Sequence, residues 1–425
     1  MFATVAVGRL IRFASRITKH GGSALPGKVV EKIDPGFLSR TLDQLPLGVV
    51  LVSGTNGKTT TTRMVASMLS DLGLKVFTNP TGSNFVRGVV SALLTEVNLA
   101  GQLDADIAVL ELDEAYAVHF VKQVKPRYAL LLNVMRDQLD RFGEIDTTAH
   151  LLSHVAEATT GTVVLNREDP RIAALAAKVP AGTAVRYFGL TDDLKHFFPS
   201  DDDMATTVSA ETTTTPSPTV SDSPRQRGRE DGFPLAGRGA AEPEGGQQDL
   251  PADGTLTAAG DHQATLHMER KNYATDVKLE GVYNLYNAAA ALAVARAGMQ
   301  DNTAAAKTVA STNACAVSAD DLIAAVSRVT PAFGRGEVID VNGSPVELLL
   351  VKNPMGFRLS LASFSPAGAD TMIAINDEYA DGRDMSWLWD VDFTSLRASG
   401  VAMVSGVRAW DMALRLGYDQ VPVPE

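Results

Sequence analysis

The sequence predicts an α/β protein with a phosphate-binding loop on a mostly parallel sheet and a smaller α/β domain at its C-terminal end. Three observations carry this. Val49-Val50-Leu51-Val52 is a β-branched apolar run, followed at once by Ser53-Gly54-Thr55-Asn56-Gly57-Lys58-Thr59-Thr60 and then by the helically periodic Arg63-Met64-Val65-Ala66-Ser67-Met68-Leu69. Short apolar runs and helical segments then alternate to about residue 166, the signature of βαβ units. Finally, 425 residues at 45% hydrophobic content suffice for two cores.

The net charge of −12 argues against nucleic acid as the main partner, since phosphate-backbone binding uses clustered Lys and Arg. One cysteine, Cys315, excludes an internal disulfide and a multi-cysteine zinc site, which suits a reducing cytoplasm. No stretch approaches 18 uninterrupted apolar residues. Residues 1–45 form a basic amphipathic segment, whose first 30 residues hold Arg9, Arg12, Arg16, Lys19 and Lys28 and no acid. Arg9 and Arg12 interrupt any signal-peptide core, so secretion is not expected. Phe2, Val5, Leu10, Phe13 and Ile17 can line one side of a helix, either packed on its own domain or laid on an anionic membrane surface at the inner face of the cell.

In the loop, Gly54 and Gly57 let backbone N–H groups turn inward, the helix N-terminus adds partial positive charge, Lys58 reaches outer phosphates, and Thr59 offers a hydroxyl to Mg²⁺. The spacing departs from G-x-x-x-x-G-K-[ST], because Val52 stands where the first Gly would be. Lys75–Asn79 is the next strand, and Ile107-Ala108-Val109-Leu110-Glu111 the one after. Glu111, ending a strand on the rim where ligands bind in open α/β sheets, is a candidate Mg²⁺ ligand, with Asp113 and Glu114 nearby. Tyr128–Val134 and Val163–Asn166 are further strands, and Asn284 and Asn287 share a helix face. Residues 191–272 are rich in Asp, Ser, Thr, Pro and Gly without apolar periodicity and read as a disordered insertion, and 299–320 as a second, small one. The central domain is accordingly expected over 46–330 and the C-terminal domain over 331–425.

The loop Gly54-Thr55-Asn56-Gly57-Lys58-Thr59-Thr60 resembles the ATP-binding loop of the Mur ligases and folylpolyglutamate synthetases. Asn133, the run from Asp137 to Asp140 (with Gln138 where Mur ligases carry His), Glu168-Asp169-Pro170 and the Gly281-x-x-Asn284-x-x-Asn287 element also resemble Mur ligases. The resemblance implies a Mur ligase-type central ATPase domain in which Asn284 and Asn287 lie against the nucleotide. Pro331-Ala332-Phe333-Gly334-Arg335-Gly336-Glu337 resembles the segment joining their two domains, which implies that Arg335 reaches the nucleotide.

Lys352-Asn353-Pro354 and the run Asp381-Gly382-Arg383-Asp384-Met385-Ser386-Trp387-Leu388-Trp389-Asp390 instead resemble the MurT family, the ligase-like subunits of the enzyme that amidates lipid II. That resemblance implies ATP-dependent activation of the D-glutamate α-carboxyl of the lipid II stem peptide as an acyl phosphate. Ammonia from a GatD-type glutaminase partner then gives D-isoglutamine, a step of peptidoglycan synthesis. It also implies that Asp384, or Asp381, completes the partner's Cys-His pair; no glutamine-hydrolysing set is evident in the chain itself. Many members carry a four-cysteine zinc ribbon, whereas this chain has a cysteine-free insertion, so no zinc is expected. The family usually continues beyond the point where this chain stops, so a shortened C-terminal domain is expected. An amino-acid-adding Mur ligase, a folylpolyglutamate synthetase-like ligase and a non-catalytic nucleotide-binding subunit stay open as alternatives.

Overall fold

The structure, a computed structural model, describes residues 2–17, 25–79, 84–135, 145–195, 250–260, 262–279, 281–308, 317–330, 335–363, 366–377 and 385–424. Helices α1 (Phe2–Ile17), α2 (Leu25–Ile33) and α3 (Phe37–Leu42) lead into strand β1 (Val49–Ser53). There follow α4 (Lys58–Asp71), β2 (Val76–Thr78), α5 (Val86–Glu96), β3 (Ile107–Glu111), α6 (Glu114–Val121) and β4 (Tyr128–Leu131). Next come α7 (Ile145–Ala158), β5 (Thr162–Asn166), β6 (Ala184–Leu190), β7 (Gly254–Gly260), β8 (Gln263–Met268) and β9 (Lys271–Asp276). Helices α8 (Val282–Thr308) and α9 (Ala319–Arg328) complete the central domain.

Among the described residues the central sheet has nine strands in the order β2-β3-β1-β4-β5-β6-β7-β8-β9. It is parallel from β2 to β7 and closes with the antiparallel β7-β8-β9 meander. Every residue of β1, β3, β4 and β5 is buried, as expected of strands covered on both faces by helices. The side chains divide by period two. Val50 and Val52 join the core under α4 and α8, while Val49 and Leu51 join the opposite core with α2, α3, α5 and α7. Because β1 pairs with β3 on one side and β4 on the other, the strand order reverses at β1, opening a crevice at the carboxyl ends of β1 and β4.

Residues 1–45 pack on their own domain, the first of the two arrangements open to them, because Val5, Val30, Phe37, Leu38 and Leu42 belong to the same core as Val49 and Leu51. Two expectations need correction. The pattern break at 191–272 is too wide at its C-terminal end: residues 254–276 supply three strands. Their small Thr, Ala and Gly positions give little apolar contrast and hide the alternation that buries Ala264, Leu266 and Met268. The bulk of that insertion, residues 196–249, lies outside the described residues. The small insertion at 299–320 is likewise too wide, since α8 runs on to Thr308 and Ser318 already caps α9 through a capping box with Asp321.

The C-terminal domain begins with the hairpin β10 (Arg335–Val341) and β11 (Ser344–Leu349), then α10 (Pro354–Ser363), β12 (Met372–Ala374), β13 (Met403–Ser405) and α11 (Ala409–Tyr418). Strands β12 and β13 pair in parallel, and the core contains Phe357, Leu388, Phe393, Met412 and Leu416. Arg415, buried at 7% exposure, donates from Nε to the Leu388 carbonyl and from Nη2 to the Val391 carbonyl, and pairs with Asp419. Its charge is thus compensated by a carboxylate and two carbonyls.

The meander and α8 meet at Gly254, where an added Cβ would stand 2.7 Å from the Ala289 carbonyl oxygen. Gly254→Ala must therefore push β7 from α8, at a cost of about 1–3 kcal/mol. A thermal melt should show a clearly lowered Tm, whereas Gly260→Ala, with its nearest neighbour at 3.8 Å, should melt near the parent.

Candidate nucleotide and interdomain site

The loop from Gly54 to Gly57 fills the crevice at the end of β1. Gly54 (φ 133°) and Gly57 (φ 84°) lie in the left-handed half of backbone space, which favours glycine. A Cβ on Gly57 would stand 2.7 Å from Asn287 Oδ1 and 2.8 Å from the Tyr283 hydroxyl, so α8 presses directly on the loop. Asn284 and Asn287, expected on one helix face, are both buried there at 8% and 3% exposure.

Lys58 opens α4, and its Nζ lies 3.3 Å from both Asp113 Oδ1 and Glu114 Oε2 while donating to the Gly54 and Thr55 carbonyls. Thr59 Oγ1 donates to Glu111 Oε1 at 2.8 Å, so the hydroxyl and carboxylate read from sequence as a metal pair stand side by side. Asn79 fixes the end of β3 by a reciprocal pair of bonds, accepting from the Glu111 N–H at 2.9 Å and donating to its carbonyl at 3.0 Å. Among the described residues no group of three or more His, Cys, Asp or Glu side chains forms a metal-holding cluster. The donor set at Thr59 and Glu111 is one hydroxyl and one carboxylate, hard oxygens of the kind Mg²⁺ prefers. The buried Thr60 Oγ1 and Asn287 Nδ2 have no hydrogen-bond partner among the described residues, leaving polar capacity at the cradle.

The sequence reading missed a chain of three asparagines. Asn133, just past β4, accepts from the Asn56 N–H through Oδ1 at 2.8 Å and donates from Nδ2 to the Asn56 carbonyl at 3.1 Å. On the far side of the loop, Asn353 Nδ2 donates to Asn56 Oδ1 at 2.9 Å, and Asn56 Nδ2 returns a weaker bond at 3.4 Å. Asn353 is also the cap of α10: its Oδ1 accepts from the Gly356 N–H at 2.8 Å, with Pro354 at the first helical position. One residue of the C-terminal domain thus terminates a helix and grips the glycine loop. The cleft between the domains is lined by Thr59, Glu111, Asn284, Lys352, Asn353 and Ser360 among others.

Asp381 and Asp384 lie outside the described residues, as does the run at Gln138. Arg335 starts β10, and its side chain is likewise outside what is described.

The Mur ligase middle domain family matches residues 52–242, and the MurT ligase C-terminal family matches residues 350–425. The MurT subunit of lipid II isoglutaminyl synthase (glutamine-hydrolyzing) from Streptococcus pneumoniae is 29% identical over 426 residues, covering 95% of this chain and 84% of that protein. Its counterpart from Staphylococcus aureus is 27% identical over 440 residues, covering 100% and 89%. The chain is similar to MurT subunits along nearly its whole length. Among solved structures, MurF from Acinetobacter baumannii superposes with a TM-score of 0.59 at 18% identity, covering 90% of this chain and 67% of that one. Folylpolyglutamate synthase from Mycobacterium tuberculosis, complexed with ADP and AMPPCP, gives 0.54 at 15% identity, covering 90% and 82%. These two show the shared fold, and the MurT C-terminal match separates this chain from amino-acid-adding relatives.

Two measurements probe the site. Asn353→Ser keeps a good helix cap but is too short to reach Asn56. It should melt near the parent while amide exchange over residues 54–57 speeds up about tenfold, the worth of one net hydrogen bond. Equal exchange would show that the loop does not depend on Asn353. Burial pushes the Glu114 carboxyl up from 4.5 to about 7, opposed by Lys58 and reinforced by the hydrogen bond and negative charge of Asp113. The fold thus favours the neutral acid: that contribution is full below pH 4.5 and is lost as pH rises to about 7. Glu114→Gln, which cannot ionise, should gain Tm relative to the parent across that window and then level off.

Proposed function

We propose that this chain is the ATP-using subunit of a glutamine-dependent amidase of lipid II, converting the D-glutamate α-carboxyl of the stem peptide to D-isoglutamine during peptidoglycan synthesis. The observation that carries the proposal is the pairing of a Mur-type phosphate loop with a MurT-type C-terminal domain along one chain, joined at Asn56 and Asn353.

A carboxylate is a poor electrophile, and ammonia cannot displace oxide from it. Transfer of the γ-phosphoryl group of ATP to a carboxylate oxygen makes a mixed anhydride; ammonia then attacks the carbonyl carbon, phosphate leaves with that oxygen, and an amide remains. The loop N–H groups and Lys58 bind the phosphates, and Lys58 changes partners from Asp113 and Glu114 to phosphoryl oxygens. Thr59 and Glu111 hold Mg²⁺, which when bound screens the charge that develops on the phosphates. The resemblance assigns Asn284 and Asn287 on α8, and Arg335 at the domain junction, to the nucleotide. Asn353 fixes the C-terminal domain over the loop, holding acceptor and phosphate donor in one cleft.

The ammonia comes from a GatD-type glutaminase subunit. The relatives' description as a subunit supports such a partner, and the resemblance assigns Asp384, with Asp381 beside it, to orienting that partner's histidine. Work on lipid II implies contact with the inner face of the membrane, and no helix among the described residues is long and apolar enough to cross one.

The reading is tested by mixing the chain with a glutaminase partner, lipid II, ATP and glutamine and detecting the amidated product by mass spectrometry. The parent should yield one amide per ATP consumed. Lys58→Ala should lose at least about a hundredfold in turnover per folded molecule, and its Tm should fall as well because the buried Asp113 and Glu114 lose their cation. Product from the parent with undiminished turnover in Lys58→Ala would remove the loop from the mechanism.

A further inference from the structure

Asn133 meets the glycine loop at three points. Its Oδ1 and Nδ2 bind the two edges of the Asn56 peptide, and its own carbonyl accepts from the Thr55 N–H at 3.0 Å. A Cβ on Gly54 would stand 3.0 Å from the Asn133 backbone nitrogen and oxygen, so a shift of Asn133 must shift the loop. Yet Asn133 lies past the end of β4, where two side chains from the end of β5 take over from the sheet. Asn166 Nδ2 donates to the Leu132 carbonyl at 2.8 Å, and Asp169 Oδ2 accepts from the Val134 N–H at 2.7 Å, so the backbone is held on both sides of Asn133. Asp169 Oδ1 at the same time caps the short helix Pro170–Ala174, accepting from the Arg171 and Ile172 N–H groups.

Asn166 is itself held from α8. Its Oδ1 accepts from the Glu168 N–H at 2.9 Å and from the hydroxyl of Tyr286, whose buried ring is tilted on Phe188 with centroids 5.2 Å apart. Phenylalanine would fill that place in the core equally well, and a buried hydroxyl is costly unless it is bonded. The hydroxyl therefore serves the bond to Asn166 rather than the packing. The next residue of α8 is Asn287, whose Oδ1 presses on Gly57. The loop is gripped between Asn133 and Asn287, and the bond from Tyr286 to Asn166 ties the strand end that carries one to the helix that carries the other.

We infer that Tyr286 and Asn166 are positioning residues of the phosphate loop: their hydrogen bond sets α8 against the end of β4 and so aligns Asn287 and Asn133 on the loop backbone for a nucleoside triphosphate. Both act through Asn133, since neither is among the residues that line the cleft. This rests on the reading that the loop binds nucleotide and is independent of the amidation that follows. A fully satisfied buried network of this kind fixes one geometry of the site it supports.

Tyr286→Phe removes one oxygen and keeps the ring. Two quantities are read on the full chain: the Kd for AMPPCP with Mg²⁺, and amide exchange over residues 54–57 without nucleotide. The variant should bind AMPPCP about five- to tenfold more weakly, the worth of one net hydrogen bond, and its loop should exchange faster by a similar factor. Asn133→Ala should do at least as much, and adding Tyr286→Phe to it should change neither quantity further, because the side chain through which the tyrosine acts is already gone. Phe188→Leu loosens the packing on the same ring and serves as the stability control: it should lower Tm at least as far as Tyr286→Phe and leave the affinity of the folded protein at the parent value. Parent-like affinity and exchange in Tyr286→Phe overturn the inference. So do effects that multiply in the double variant, and so does a loss of affinity in Phe188→Leu equal to that in Tyr286→Phe, which would make affinity follow stability alone. Failure of the parent to bind AMPPCP would sink the nucleotide reading, and the exchange comparison, which needs no nucleotide, would still decide whether Tyr286 and Asn166 set the loop.

Discussion

The structure depends on how the four residues after β1 are held. A loop that presents backbone N–H groups toward one point has given up its own hydrogen-bond ladder, so side chains must hold it. Asn133 does this through both edges of the Asn56 peptide, and Asn353 holds the Asn56 side chain from the other domain. Helix α8 fills the space over Gly57 with Asn287, where a larger loop residue would not fit. The cradle is thereby shaped by the central sheet, by a helix packed on it and by the C-terminal domain together.

This arrangement couples binding to domain geometry. Because Asn353 both caps α10 and grips the loop, a shift of the C-terminal domain must break the bond to Asn56 or move the helix with it. Lys58, Asp113 and Glu114 form a compact charge group beside this joint, in which burial raises the Glu114 carboxyl toward neutrality and Lys58 resists it. A lysine balanced between two carboxylates can exchange them for phosphoryl oxygens without ever losing a negative partner, which keeps the desolvation cost of its charge low.

Much of this was legible in the sequence. Strand β1, the glycine loop and α4 were readable because a β-branched run, two glycines and a helical period are local signals, and Glu111 could be placed beside Thr59 from its position at a strand end. Asn284 and Asn287 shared a face because a helix repeats every three to four residues. The meander β7 to β9 was not readable: at the sheet edge one face is open, and Thr, Ala and Gly positions blur the alternation that buries Leu266 and Met268. The C-terminal half of α8 was obscured by its uniformly Ala-rich composition, which carries little amphipathic signal. The contact between Asn56 and Asn353 joins residues 297 apart, and an amide pair at that separation leaves no periodicity to find.

The central claim is that the phosphate loop activates a carboxylate by phosphoryl transfer. The most direct measurement uses an acceptor whose D-glutamate α-carboxyl is enriched in heavy oxygen, with the complete enzyme, ATP and glutamine, followed by mass analysis of the released phosphate. A mixed anhydride requires that one carboxylate oxygen leave with phosphorus, so the account predicts one heavy oxygen in the phosphate for each amide formed. Amide formation with unlabelled phosphate would contradict it.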